Sequence, residues 1–452
     1  MEISQLNKVR IEERLRARFS VHPSNKPRIL VFGIGMHGGG AGVLRFFHAL
    51  GWHCTAVDEK PKSVFAPLMR ELGSTYIDWK FGNVPLRLLR DIDVVVKNPG
   101  IPMTHPFIIA AKKSGKFLTN DFDLLLTTFD PRRVIGITGT KGKTTAALLI
   151  AHILKKQFRT IALGIPGTSF LDIFHARRVP DYVVAECSSY DLELASSSPH
   201  IAVLTTLAGD HISRHGTMRA YTKAKGNLFR YQIRGDIAVL PTVLTRGHDF
   251  IFTASTVRRF SEIPPRALGN IAWSIHPNSV SAAYTVCKTF GMSDARIVDR
   301  IHTFRGAVGR REQIYTTRTG VHCINDTTAT APIAAIDTIR SAAHHFGRAH
   351  IIPIVGGHDK ALRETEIKAL ASVLQAYTKH MVLLDGSFTV RLSVYLPNTI
   401  RVHKSMRSAV ADAARHARKG DYIILTPGCA SFNMFLNEFD RGDRFERAMV
   451  HY

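Results

Sequence analysis

Hydrophobic positions along the chain recur as short β-branched runs, each closing on a glycine or polar turn. Such runs span 28–32, 54–57, 93–96, 134–137, 181–185, 201–206, 321–324, 351–355, 381–384 and 422–426. Continuous apolar runs of this length, bounded by turn residues, read as strands buried on both faces. Stretches with helical spacing lie between them, for example Val43–Leu50 and Ala146–Ala151. Strand alternating with helix predicts an α/β protein built on parallel, doubly wound sheets.

A chain of 452 residues is too long for one core and fits about three domains. The pattern places them at 28–130, 131–312 and 313–452, after a basic N-terminal extension over 1–27. Within that extension Ile11–Phe19 reads as a short basic helix lying outside the core. The first domain is Rossmann-like, the middle one resembles a P-loop ATPase sheet, and the last is a second Rossmann-like unit. No apolar run approaches the ~20 residues of a membrane span. Met1–Pro27 is charged and lacks the apolar stretch of a signal peptide. The five cysteines are scattered, with no C-x-x-C pair, which argues against a disulfide framework or zinc site and for a reducing cytoplasm. A net charge of +24 admits nucleic acid, anionic surfaces or polyanionic small substrates, but no basic tail or aromatic-interleaved cluster selects among them.

Chemistry concentrates at the strand ends. Val134–Thr138 enters Gly139-Thr140-Lys141-Gly142-Lys143-Thr144-Thr145 and leaves into an apolar helix, the context a phosphate-binding loop needs. The loop is shorter than G-x-x-x-x-G-K-[ST], with Gly139-x-x-Gly142-Lys143-Thr144 as its core. Lys143 would reach the β/γ-phosphates of a nucleoside triphosphate and the Thr144 hydroxyl would ligate Mg²⁺. Glu186 and Asp210-His211 close two further strands of the same sheet, where metal ligands belong. Tyr221-x-x-x-Lys225 places Lys225 on a helix just beyond. In the first domain Gly33, Gly35 and Gly38 form G-x-G-x-x-G after a strand, with Asp58 about 20 residues on. Read alone, that fingerprint admits NAD(P) or any nucleotide diphosphate, and no hydride-transfer site accompanies it.

Several longer segments bear a family likeness. They are Thr138–Thr145, Glu186-Cys187-Ser188-Ser189-Tyr190-Asp191-Leu192-Glu193, and Asp210-His211-x-x-Arg214-His215-Gly216 with Tyr221 and Lys225. To these are added Asn98-Pro99-Gly100-Ile101, Asn325–Thr330, Gly356-Gly357-x-Asp359-Lys360, and Pro427–Phe432 through Arg441-Gly442. Together they resemble the Mur ligases of peptidoglycan synthesis over nearly the whole chain after residue 27, and within that family the D-glutamate-adding branch.

The resemblance implies an ATP-dependent amide ligase that joins D-glutamate to UDP-N-acetylmuramoyl-L-alanine through an acyl phosphate. It implies ATP on the loop 139–145, with Arg310 and Asp326 reaching it from the domain boundary and the third domain. It further implies one Mg²⁺ on Thr144 and Glu186, and a second on His211 and a carbamylated Lys225. Lys143, His211 and Lys225 are then the catalytic group. Gly33, Gly35, Asp58 and Asn98 would meet the uridine diphosphate substrate, and Thr330, Lys360 and Ser431 the D-glutamate. The expected protein is a cytoplasmic monomer without a membrane span, and nucleic acid is not its expected partner. A Mur-type or folylpolyglutamate-type ligase with another amino-acid acceptor is the alternative, and a nucleic-acid-stimulated P-loop ATPase the remoter one. The chain departs from the family pattern at four places. His276 and Ser279 occupy asparagine positions of an H-N-x-x-N segment. Thr328 stands where many D-glutamate-adding members have lysine, Lys141 replaces a frequent loop asparagine, and Glu438-Phe439 reverses an aromatic-then-acidic order.

Overall fold

A computed structural model of the chain describes residues 5–20, 22, 26–35, 38–176, 178–208, 212–242, 255–260, 277–304, 314–359, 362–431 and 434–452. Three sheets follow one another along the chain. The first comprises β1 (Ile29–Phe32), β2 (Cys54–Asp58), β3 (Ile77–Phe81), β4 (Val94–Lys97) and β5 (Phe117–Thr119), in the order β3-β2-β1-β4-β5. The second comprises β6 (Val134–Thr138), β7 (Thr160–Leu163), β8 (Tyr182–Glu186), β9 (Ile201–Leu204), β10 (Ile237–Pro241) and β11 (Thr256–Phe260), in the order β11-β10-β9-β6-β8-β7. The third comprises β12 (Ile314–Thr316), β13 (His322–Asn325), β14 (Ile351–Gly356), β15 (Val382–Leu384), β16 (Val402–His403) and β17 (Tyr422–Leu425), in the order β12-β13-β17-β14-β15-β16. All pairings are parallel except β12 with β13.

Side chains alternate across each strand, so one β-branched run feeds two cores. In β1, Ile29 and Val31 enter one apolar cluster while Leu30 and Phe32 enter the opposite one. Similarly, Ile135 and Ile137 of β6 pack beneath the helices Lys143–Leu154 and Pro277–Thr289, while Val134 faces Leu228 and Phe229 of the helix Met218–Arg230. Burial on both faces is why these strands read as unbroken apolar runs. The ten expected strands are present. Among the described residues the additional ones are the six sheet edges (β3, β5, β7, β11, β12, β16) and β10.

The N-terminal helix departs from expectation. It spans Gln5–Phe19, and Ile11, Leu15 and Phe19 are buried in the first unit's core, so it is not peripheral. Its i, i+4, i+8 apolar stripe supplies that face, while Arg14 bonds the Thr128 carbonyl and Arg16 lies over the Trp52 ring. All five cysteines are buried thiols, as a core role requires. No helix among the described residues is long and apolar enough to cross a membrane.

Candidate active site

In open parallel sheets, ligand sites form outside the C-terminal strand ends, next to the point where strand order reverses. Here β6 is flanked by β8 and β9, so the loops after these three strands converge. Gly142 has φ 82°, a left-handed conformation that favours glycine, and a Cβ there would meet Ser279 Oγ at 2.5 Å. It caps the helix Lys143–Leu154, whose first N–H groups and dipole point into the loop. Two loop residues are tied to the exit of β9. The Thr140 N–H donates to the Thr206 carbonyl at 2.9 Å, and the Lys141 N–H donates to Thr206 Oγ1 at 2.8 Å. Their amides therefore brace the loop, which leaves the turn from Gly142 into the helix as the phosphate-facing part. Lys143 Nζ donates to the Thr140 carbonyl at 3.3 Å, curled over the loop it would share with a phosphate.

Glu186 is only 8% exposed at the end of β8, in register with Ile137 of β6. Burial raises its pKa above the ordinary carboxylate value, and Lys143, the Thr144 hydroxyl and Lys225 pull it back. Its Oε2 is buried without a hydrogen-bond partner. An orphaned carboxylate oxygen beside a threonine hydroxyl at a phosphate loop is the donor set a Mg²⁺ ion takes. Lys225, 1% exposed, donates to the Gly139 carbonyl at 2.8 Å and to Thr138 Oγ1 at 3.4 Å, with its amine above the Tyr221 ring. Tyr221 in turn bonds Thr140 Oγ1 at 3.1 Å. Lys225 is thus a core residue pressed against the loop and not a surface lysine. Asp210, His211, Arg310, Lys360 and the segment 275–276 lie outside the described residues.

The first unit's glycine turn is built as the motif demands. Gly33 (φ 83°) and Gly35 (φ 72°) lie against Asn98, whose Cβ and Nδ2 would each be 2.9 Å from an added Cβ. Asp58 is buried and turned inward. Its Oδ2 accepts the Ile34 N–H at 2.8 Å and the Gly35 N–H at 3.4 Å, and its Oδ1 accepts the Lys60 N–H. The acidic residue therefore closes the glycine turn from within.

In the third unit, Asp326 and Thr330 follow β13, and Ser431 follows β17, its neighbour in the sheet. The Asp326 carboxylate accepts hydroxyl bonds from Thr338 and, at 3.3 Å, from Thr328. Thr330 Oγ1 accepts from Lys141 Nζ at 3.1 Å, joining this unit to the phosphate loop. Thr144, Glu186 and Lys225 are thus gathered around the loop, Thr330 meets it from the third unit while the Asp326 carboxylate is bonded within that unit, and Gly33, Gly35, Asp58 and Asn98 share a separate strand-end site.

Sequence reasoning gave no role to a buried charged set that the fold assembles. Lys97, with no exposure, donates to Glu193 Oε2 at 3.0 Å and to the Ile101 carbonyl at 2.9 Å. Arg214 donates to the carbonyls of Pro99, Gly100 and Ile101 at 2.8–2.9 Å and stacks on Tyr190. Arg441, also with no exposure, bonds Thr327 Oγ1, the Thr327 carbonyl and the Cys429 carbonyl, tying the two strand-end loops of the third unit together. Glu193, Arg214 and Arg441 lay within the family-like segments without a role, and the lysine ending the β-branched strand Val94–Lys97 carried a physical signal, since a cation is costly there unless paired.

The fold and site define a three-unit protein with a phosphate loop at its centre, and known proteins supply the family. Residues 27–119 match the Mur ligase MurD-like N-terminal domain, 137–251 the Mur ligase middle domain, and 309–429 the Mur ligase glutamate ligase domain. The UDP-N-acetylmuramoylalanine–D-glutamate ligase of Roseiflexus sp. (strain RS-1) is 32% identical, over 94% of this chain and 98% of its own. That of Desulfotalea psychrophila is 29% identical over 93% and 95%. Among solved structures, the UDP-N-acetylmuramate-alanine ligase of Thermotoga maritima superposes with a TM-score of 0.58 at 18% identity, covering 94% of this chain and all of that one. MurF from Acinetobacter baumannii gives 0.59 at 13% identity, covering 98% of each. The chain belongs to the Mur ligase family, ATP-dependent enzymes that form amide bonds and use Mg²⁺.

Proposed function

We propose that this chain adds D-glutamate to UDP-N-acetylmuramoyl-L-alanine in peptidoglycan precursor synthesis, in the cytoplasm and as a monomer. The observation that carries the reading is a phosphate loop with an orphaned Glu186 oxygen beside it and, through Lys141, the Thr330 turn of the third unit bonded to it. Gly33, Gly35 and Asn98 hold the uridine diphosphate end of the donor, so its L-alanyl carboxylate reaches toward the central loop. Gly142, Lys143, Thr144 and Thr145 present N–H groups and the lysine ammonium to the ATP phosphates, with Arg310 and Asp326 holding the nucleotide from the other side. The γ-phosphoryl group passes to the alanyl carboxylate, giving an acyl phosphate and ADP. The amine of D-glutamate, held by Thr330, Lys360 and Ser431, attacks the acyl carbon and loses a proton. The tetrahedral adduct then expels phosphate and leaves the amide.

Thr144 and Glu186 would hold one Mg²⁺, and His211 with a carbamylated Lys225 a second. When bound, the ions offset the charge that builds on the transferring phosphoryl oxygens. Carbamylation would convert the buried Lys225 cation into an anion, which accounts for a lysine in a metal-ligand position. Lys143 stabilises the same oxygens, and closure of the third unit excludes water from the acyl phosphate.

A coupled assay tests the reading. ADP release should require both UDP-N-acetylmuramoyl-L-alanine and D-glutamate. Release driven by another amino acid and not by D-glutamate would overturn the acceptor. Release driven by DNA or RNA without the muramoyl substrate would overturn the reaction class.

A further inference from the structure

Two lysines stand two residues apart in the phosphate loop, and the structure sends them in different directions. Lys143 Nζ curls back onto the Thr140 carbonyl, inside the loop. Lys141 is fixed through its backbone: its N–H bonds Thr206 Oγ1, and its carbonyl accepts the hydroxyls of Thr205 at 2.6 Å and Thr206 at 3.0 Å. With both backbone groups spent on the sheet, its side chain crosses to the third unit and meets Thr330 Oγ1 at 3.1 Å, 189 residues away in the chain.

The turn it reaches, Asp326-Thr327-Thr328-Ala329-Thr330, holds no cation of its own. The nearby Arg441 spends donors of all three nitrogens on Thr327 and Cys429, beneath the turn. The Asp326 carboxylate is capped by Thr328 and Thr338. Lys141 thus brings positive charge to the face of this turn, delivered from the opposite unit. Two of the four departures from the family pattern match this geometry: a lysine is missing at Thr328 on the third unit's side and present at Lys141 on the loop's side.

We propose that Lys141 binds a carboxylate of the incoming amino acid together with Thr330, and so determines acceptor affinity as the third unit closes. The inference rests on the ligase reading above. An ammonium and a hydroxyl converging on one carboxylate make a charge-assisted pair, stronger than a neutral hydrogen bond. The division of labour follows: Lys143 serves the phosphates, and Lys141 the acceptor.

Steady-state kinetics on the full chain test it, with D-glutamate and ATP varied separately. Lys141→Asn should raise KM for D-glutamate tenfold or more and move KM for ATP less than about threefold, the range a single charged hydrogen bond spans. Lys141→Arg, and Lys141→Asn combined with Thr328→Lys, should each recover most of the D-glutamate affinity. An unchanged KM for D-glutamate in Lys141→Asn, a rise in KM for ATP of equal size, or failure of both compensating variants would overturn the assignment. Wild-type enzyme that ignores D-glutamate altogether would instead overturn the ligase reading, so the two failures are distinguishable. Unchanged thermal melting of Lys141→Asn keeps a folding defect out of the result.

Discussion

The two junctions between units are built on different principles. Between the first and central units, charged and polar groups are buried: Lys97 pairs with Glu193, Arg214 grips the turn 99–101, and Asn120 Nδ2 bonds the Asp191 carbonyl at 2.6 Å. Arg18, Asp123 and Ser196 form a second bonded set nearby. Helices Gly39–Leu50 and Asp121–Thr128 also pack on the turn Phe170–His175. Between the central and third units, no pair of elements among the described residues packs to that extent, and the bond from Lys141 to Thr330 bridges the gap. Interfaces of the second kind permit relative motion by default. On the proposed reading, the first junction therefore holds the donor site against the phosphate loop, while the second leaves the acceptor site free to close. An amide ligase that must load three substrates and then exclude water needs both.

The largest effect should come at the phosphate loop itself, where Lys225 bonds the Gly139 carbonyl. Lys225→Ala removes the proposed second ligand group, and activity should fall about 10²–10³-fold, the scale for losing one preorganised electrostatic contact. Bicarbonate or a short carboxylic acid should restore part of it. Full activity in the variant would rule out a metal-bridging role. Next comes the rigid junction itself. Glu193→Ala leaves Lys97 buried without its carboxylate, where burial already depresses the lysine pKa. Breaking a buried pair by removing one partner costs about 3–5 kcal/mol. Urea unfolding should therefore place the variant's first transition well below wild type, and coincident curves would mean the pair is solvated.

How much of this was legible in the sequence divides along the same line. Most strands buried on both faces announced themselves as β-branched runs, although the interior strand β10, Ile237–Pro241, was missed, and the loop 139–145 could be read because its glycines, lysine and threonine sit in strand–turn–helix context. The edge strands could not. Thr256–Arg259 of β11 is exposed throughout, and Ile77–Phe81 of β3 alternates with Asp78 and Lys80 outward, so neither offers an apolar run. The N-terminal helix misled because Arg14, Arg16 and Arg18 dominate its composition, while among its described side chains the buried stripe is Ile11, Leu15 and Phe19. The junction charges were the least visible. Lys97, Asp121 and Glu193 lie far apart in sequence, and only tertiary packing converts them from solvated residues into one buried network.

A smaller effect is expected from wedging that packing. Gly42 sits mid-helix where an added Cβ would collide with the Ser169 side chain of the central unit. Gly42→Val should cost about 1–3 kcal/mol, the usual range for overpacking. If the rigid junction positions the donor, KM for the muramoyl substrate should rise while KM for D-glutamate holds. An equal rise in both would mean the junction is only structural.

The smallest effect is a change of slope with pH. Asp121 is buried at this junction, and its pKa is raised to about 8 by burial and then by Asp191, with Lys97 pulling the other way. Asp191 is raised as well, although Ser188 donates to it through its N–H at 2.7 Å. In the unfolded chain Asp121 titrates near 4. Between about pH 4 and pH 8 the folded chain therefore holds a proton that the unfolded chain has released. Folding takes up that proton, so stability contributed by the neutral acid is fully present below pH 4 and is lost as pH rises toward 8. Asp121→Asn keeps the shape and removes the titration. It should match wild type near pH 4 and melt higher by pH 8, by roughly 2–4 °C for each kcal/mol recovered. Parallel melting curves across the range would mean that the acid is ionised in the folded protein, and that the rigid junction carries one more negative charge than its burial suggests.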